Sequence, residues 1–202
     1  KEHAVRIRMR GHDRSSVLFT VNGRHTLKLK TIGAFNGLNA AAALAAAHWY
    51  GMPLGAAVER LSSFRFPRMR LEVIRRGGVT FVNDAYNANP AAAAGSLNAF
   101  MSVRARRRLV VMADMRELGS DSNRYHAQMA EQIRCVDPAG VLLLGREVKH
   151  TARALAASGQ TDVFLFGDKD ALKNKLHALV KKGDAVLLKG SRAFSLETLI
   201  PD

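Results

Sequence analysis

Residues 80–103 read TFVNDAYNANPAAAAGSLNAFMSV. A short apolar run, Thr80 to Asn83, leads into a polar cluster that ends at Pro90, and an alanine-rich segment follows from Ala91 to Val103. The order is strand, turn-rich loop, helix, because proline is preorganised for a first helical position and the asparagine before it can cap. The alternation continues downstream. Further strands are expected at Leu71 to Ile74, Leu109 to Ala113, Val141 to Leu144, Val163 to Phe166 and Ala185 to Leu188. Helices are expected at Ser122 to Cys135, Val148 to Ala157, Asp170 to Lys181 and Ser195 to Leu199. Short apolar strands separated by helices predict an α/β fold with a mainly parallel sheet covered on both faces.

Upstream the pattern differs. Ala4 to Met9, Ser16 to Val21 and Thr26 to Lys30 alternate as a β-ribbon, with Asn22-Gly23 as its hairpin turn. Then comes GAFNGLNAAAALAAAHWYGM, residues 33–52, a helix apolar all round and therefore expected to be buried between other elements. Gly51 ends it, and Pro53 starts a short helix reaching about Ser62. The basic, irregular run Phe64 to Arg70 marks a boundary between domains at 1–66 and 67–202.

The 202 residues are 48% hydrophobic and 24% charged, enough apolar surface for a core and too much for a disordered chain. No run approaches the roughly 20 apolar residues of a membrane span. One cysteine, Cys135, excludes an internal disulfide and a multi-cysteine zinc site. Thirty-one Lys and Arg against 17 Asp and Glu give a net charge of +14, which suits anionic ligands of several kinds. The Arg104 to Arg108 run reads as a solvated loop, without the interleaved aromatics of a single-strand binder.

Polar clusters fall at three strand ends: NDAYNANP after the second strand of the α/β region, DMRELG after the third and KGSR after the last. Ligands of open α/β sheets sit beyond the carboxyl ends of the strands. Asp84 can accept from ribose hydroxyls or help hold a metal, and equally reads as a turn or cap residue. Tyr86, Asn87 and Asn89 add groups suited to a small polar ligand, although Asn89 before Pro90 also reads as a cap. Lys189, Gly190, Ser191 and Arg192 place two cations and a hydroxyl before a helix, a phosphate or carboxylate site or a basic surface loop. Asp114, Glu117 and His126 fit no standard ligand spacing, and His126 reads as structural. Neither a G-x-x-x-x-G-K-[ST] phosphate loop nor a G-x-G-x-x-G fingerprint occurs.

DAYNANP, residues 84–90, resembles the signature of the Mur ligases, in the branch that adds D-alanyl-D-alanine. GAFNGLNAAAALAAA, PRMRLEV, VVMADMRELG and LLKGSR agree with it in order, so the resemblance spans about Thr31 to Leu199. It implies the C-terminal part of a central ATP-binding domain over 1–66 and a Rossmann-like C-terminal domain over 67–202. Together with the start at Lys1, it implies that the phosphate loop and the magnesium ligands lie upstream, and that this chain alone is inactive. The implied reaction is ATP-dependent amide formation in cytoplasmic peptidoglycan precursor synthesis. A phosphorylated carboxylate of UDP-N-acetylmuramoyl-tripeptide is attacked by the amine of D-alanyl-D-alanine. ATP and Mg2+ are the implied cofactors of a monomer without nucleic-acid or membrane partners.

By position, the resemblance assigns Asn36 and Asn39 to the adenine, Arg70 to the ATP phosphates and Asp84 to the ribose. It assigns Tyr86, Asn87, Asn89, Lys189, Ser191 and Arg192 to the dipeptide or acyl-phosphate pocket, and names no catalytic residue and no metal ligand in this chain. Phe35 stands where the family has histidine, Met69 and Ala113 where it has glycine. Two other readings are another amide ligase of the same superfamily, against which YNANP argues, and a non-catalytic basic nucleotide-binding module.

Overall fold

The computed structural model describes residues 4–13 and 15–201, which form two compact units, residues 1–67 and 68–202. In the first unit, strands β1 (Ile7–His12), β2 (Val17–Val21) and β3 (His25–Leu29) make an antiparallel sheet in that order. Helices α1 (Asn36–Trp49) and α2 (Leu54–Ser62) complete the unit. Alternation decides the inner face. Val17, Phe19, Val21, Leu27 and Leu29 are buried with Ala40 and Leu44 of α1 and Ala57 and Val58 of α2. Asn22 and Gly23 take left-handed backbone between β2 and β3, and the Asn22 side chain also accepts from Arg6 N at 2.7 Å. β1 begins three residues later than expected: before Ile7 the chain is held by Asn22, whose backbone N donates to the Arg6 carbonyl at 2.9 Å and whose side chain bonds Arg6 N and the Ala4 carbonyl.

α1 departs from expectation. Only Asn36, Gly37, Ala40 and Leu44 are buried, while Leu38, Trp49 and Tyr50 stand exposed. An alanine-rich helix carries no contrast between its faces, so its pattern could not mark the buried one.

The second unit is a six-stranded sheet in the order β4-β5-β9-β6-β7-β8. The strands are β4 (Glu72–Arg76), β5 (Val79–Asp84), β6 (Arg108–Ala113), β7 (Gly140–Leu144), β8 (Val163–Phe166) and β9 (Ala185–Lys189). Gly77 and Gly78, both at positive φ, form the two-residue turn that joins β4 to β5 antiparallel; the other pairings are parallel. β7 and β9 are buried at every position, as strands covered on both faces must be. Helices α3 (Pro90–Met101), α4 (Ser122–Cys135) and α5 (Lys149–Ala157) pack in sequence beside one another. α6 (Lys169–Leu179) returns the chain from β8 to β9, and its Leu172 and Leu176 join the core formed by Phe81, Val111, Leu142 and Val186. Right-handed crossovers require this division, since the first three connections advance across the sheet and the fourth goes back. The expected last helix is two 3-10 turns, Arg192–Phe194 and Leu196–Leu199.

The arginine run 104–108 is not a solvated loop throughout. Arg107 donates through Nη2 to Asp184 at 2.6 Å and to the Leu179 carbonyl at 2.9 Å, joining the starts of β6 and β9 to the end of α6. Asp184 is buried between burial, which pushes its carboxyl up, and the bonds and charges of Arg107 and Lys181, which prevail and hold it below the ordinary carboxylate value.

Candidate functional site

In the second unit, parallel register brings the ends of β5 and β9 together. Asp84 stands opposite Lys189, and Lys189 Nζ lies 2.6 Å from Asp84 Oδ2, with both side chains nearly buried. A buried ion pair persists only when further hydrogen bonds satisfy both partners. Here Asp84 Oδ2 also accepts from the Ser96 hydroxyl of α3, and Oδ1 accepts from Leu71 N at 3.1 Å. Lys189 Nζ donates a second bond to the Asn87 carbonyl at 2.9 Å. The ammonium therefore fixes the 84–89 loop from beneath and is not presented to solvent. Ser96 escaped the sequence reading; a lone hydroxyl among the small residues of α3 was its only signal.

The entry to β4 carries unusual backbone. Met69 and Leu71 have φ of 60° and 53°, the left-handed region that costs a non-glycine residue about 1–2 kcal/mol. Hydrogen bonds hold both. Met69 N donates to Glu72 Oε2 at 3.0 Å, Tyr86 N donates to the Met69 carbonyl at 3.3 Å, and Leu71 N reaches Asp84. Between them, exposed Arg70 stacks its guanidinium 4.4 Å over the Tyr86 ring. Stacking uses the guanidinium face and leaves its N–H edges open.

The remaining expected residues divide by what occupies them. Asn89 Oδ1 accepts from Ala92 N at 2.8 Å and caps α3, while Asn87 Oδ1 accepts from Ala88 N. Arg192 pairs with Glu197. Ser191, only 8% exposed, has no hydrogen-bond partner for its hydroxyl among the described residues. In the first unit, Asn39 Nδ2 donates to Asn36 Oδ1 at 3.1 Å, and Phe35 is half exposed just before them. Cys135 is exposed.

The DMRELG loop is architectural in most of its polar groups. Asp114 accepts from the backbone N–H of Arg146, Glu147 and Val148 at 2.8–2.9 Å, and so organises the turn into α5. Gly145, at φ +130°, admits this carboxylate where a Cβ would lie 2.4 Å from it. His126 is fully buried; its Nε2 accepts from Met115 N at 3.0 Å, which leaves Nδ1 to donate to the Ser122 carbonyl at 2.8 Å. Among the described residues, no group of three or more His, Cys, Asp or Glu side chains could hold a metal ion. Nor, among those residues, is any helix long and apolar enough to cross a membrane.

Residues 69–192, more than half the chain, match the family model of the Mur ligase glutamate ligase domain. The chain belongs to the Mur ligase family. Among its Mur ligase relatives, the UDP-N-acetylmuramoyl-tripeptide–D-alanyl-D-alanine ligase of Bacillus subtilis is 29% identical over 91% of this chain and 41% of its own length. The enzyme of the same description from Treponema pallidum is 32% identical over 84% of this chain and 37% of its own. Among Mur ligase structures, the MurF ligase of Thermotoga maritima in complex with ADP superposes with a TM-score of 0.78 at 26% identity, over 97% of this chain and 45% of that one. The chain thus spans about two fifths of the length of the relatives it matches. Its α/β fold with a mainly parallel sheet is that of the family's C-terminal domain.

Proposed function

We propose that this chain supplies the C-terminal portion of an ATP-dependent ligase that joins D-alanyl-D-alanine to UDP-N-acetylmuramoyl-tripeptide in the cytoplasm, as a monomer. Residues 1–66 belong, on this reading, to its ATP-binding domain and residues 67–202 form its C-terminal domain. The observation that carries it is the DAYNANP loop, anchored by the Asp84–Lys189 pair in a chain whose relatives carry that description. The donor set suits a nucleotide. A carboxylate has about four lone-pair sites, and Lys189, Ser96 and Leu71 N take three of those on Asp84, leaving room for one ribose hydroxyl. Arg70 keeps its N–H edges for phosphate oxygens, and Asn36 and Asn39 offer amides to the adenine.

ATP, with Mg2+ held upstream of this chain, supplies the phosphoryl group that activates the tripeptide carboxylate. This chain's residues orient the reactants. Asn87 and Ser191 contact the dipeptide with Tyr86 beside them, while Asn89, Lys189 and Arg192 hold the surrounding loops in shape. Fixing amine and acyl carbon at attack distance is worth several kcal/mol of barrier.

The test is phosphate release by the complete polypeptide with ATP, magnesium and UDP-N-acetylmuramoyl-tripeptide, with and without D-alanyl-D-alanine, and the 202-residue chain in parallel. Release that requires the dipeptide and the long form is expected. Release stimulated instead by a single amino acid would assign the chain to another amide ligase of the family.

A further inference from the structure

The outer face of the three-stranded sheet has no part in the ligase reading. Eight Lys and Arg stand in the first 30 residues against two acids. Arg6, just before β1, and Arg8 and Arg10 within it recur at every second residue and stand exposed, about 6.8 Å between neighbours where the chain is extended. The ladder is interrupted between Met9 and Gly11, and Arg10 lies in that irregularity. A bulge there keeps its side chain on the arginine face. Arg8 lies opposite Thr20, and Thr20 opposite Thr26, which makes a row of one cation and two hydroxyls across the three strands. With Arg24 from the β2–β3 turn, these groups line an open basin of about 990 Å³.

Among the described residues, no acidic residue lines this basin. Among the described residues, none of its four guanidiniums has a carboxylate or hydrogen-bond partner. Asp13, the one acid among residues 4–30, is held by the N–H groups of Ser15 and Ser16, by the Ser16 hydroxyl and by Lys28 at 3.3 Å. Four unpaired guanidiniums side by side repel one another, and an anion that bridges them removes that repulsion. Arginine forks match phosphate oxygens two at a time, and threonine hydroxyls add donors. Among the described residues no Phe, Tyr or Trp lines the basin and His25 is its one aromatic ring, so phosphate contacts outnumber any base contact there.

We propose that this sheet face is a binding site for a soluble oligophosphate anion, recognised through its phosphate chain. The basin is concave and its cations stand in a line, which favours a short chain of phosphates over a single one.

The experiment is calorimetric titration of the 202-residue chain with inorganic tripolyphosphate, and with orthophosphate at matched ionic strength. The triple variant Arg6→Gln, Arg8→Gln, Arg10→Gln is compared with a charge-matched control, Arg104→Gln, Arg134→Gln, Arg153→Gln, whose residues are exposed in the second unit. Tripolyphosphate is expected to bind at least tenfold more tightly than orthophosphate. The first variant should lose at least tenfold, and the control should stay within twofold. Equal loss in both variants would overturn the proposal, because the net charge alone would then account for binding. Binding of phosphatidylglycerol vesicles through the same arginines, without tripolyphosphate binding, would overturn it in favour of a lipid surface. Amide-exchange protection on adding tripolyphosphate, confined to β1 and the β2–β3 turn, supports the site independently of the variants; protection elsewhere contradicts it.

Discussion

Lys189 shows how one buried side chain can hold a loop in shape. It ends β9, bonds Asp84 at the end of β5 and holds the Asn87 carbonyl, so one ammonium ties two points of the loop that carries Tyr86 and Asn87. Lys189→Met should destabilise the chain by about 3–5 kcal/mol, since it leaves a buried carboxylate without its cation. Urea denaturation at pH 7 measures this; a loss under 1 kcal/mol would mean that water reaches Asp84 freely. Ser191 is the opposite case, a nearly buried hydroxyl with no partner among the described residues. Ser191→Ala should leave stability almost unchanged. On the proposed function, in the complete polypeptide it should raise KM for D-alanyl-D-alanine about five- to tenfold, the worth of one hydrogen bond near 1–1.5 kcal/mol, with ATP affected less. Steady-state kinetics in each substrate separates the two, and equal effects would assign Ser191 a structural role.

At the scale of elements, the amino ends of β6 and β9 are joined by Arg107 and Asp184. Because Asp184 is held below its unfolded value, its charge contributes stability that is present in full above the ordinary carboxylate value near 3.9. That contribution is lost as pH falls through the lower folded-state value. Urea midpoints of the native chain should therefore fall between about pH 5 and pH 2. Arg107→Leu should cost most at pH 7 and flatten that decline; an unchanged slope would place the acid sensitivity elsewhere. Such ties also explain what could be read from the sequence. β7, and β9 from Ala185 to Leu188, are uninterrupted apolar runs and were legible, as were α4 from Ser122 to Cys135 and the loops at the strand ends. Leu71, expected as the first residue of a strand, lies just outside β4 because Asp84, thirteen residues on, holds its N–H. Lys189 was legible as a strand-end cation, but its use depends on the register of two strands whose ends are 105 residues apart. Local pattern holds no trace of either contact.

At the scale of the whole molecule, two units with separate cores share one chain. The segment between α2 and β4 is exposed at Arg65 and Arg68. Arg65 has no ion pair or hydrogen bond among the described residues, and Arg68 reaches Glu72 only at 3.7 Å. Nicking concentrates where exposed backbone is least tied down. Limited trypsin treatment should therefore cut first after Arg65 or Arg68, ahead of Arg146, whose N–H is bonded to Asp114. The larger product should keep its fold, because it retains all six strands, the Asp84–Lys189 pair and the Arg107–Asp184 tie. Mass spectrometry identifies the cut. Circular dichroism of the purified product should show the native α/β signal and the same loss of stability toward acid. A product that unfolds on release would mean that the second unit draws its stability from the first, whatever the separation of their cores.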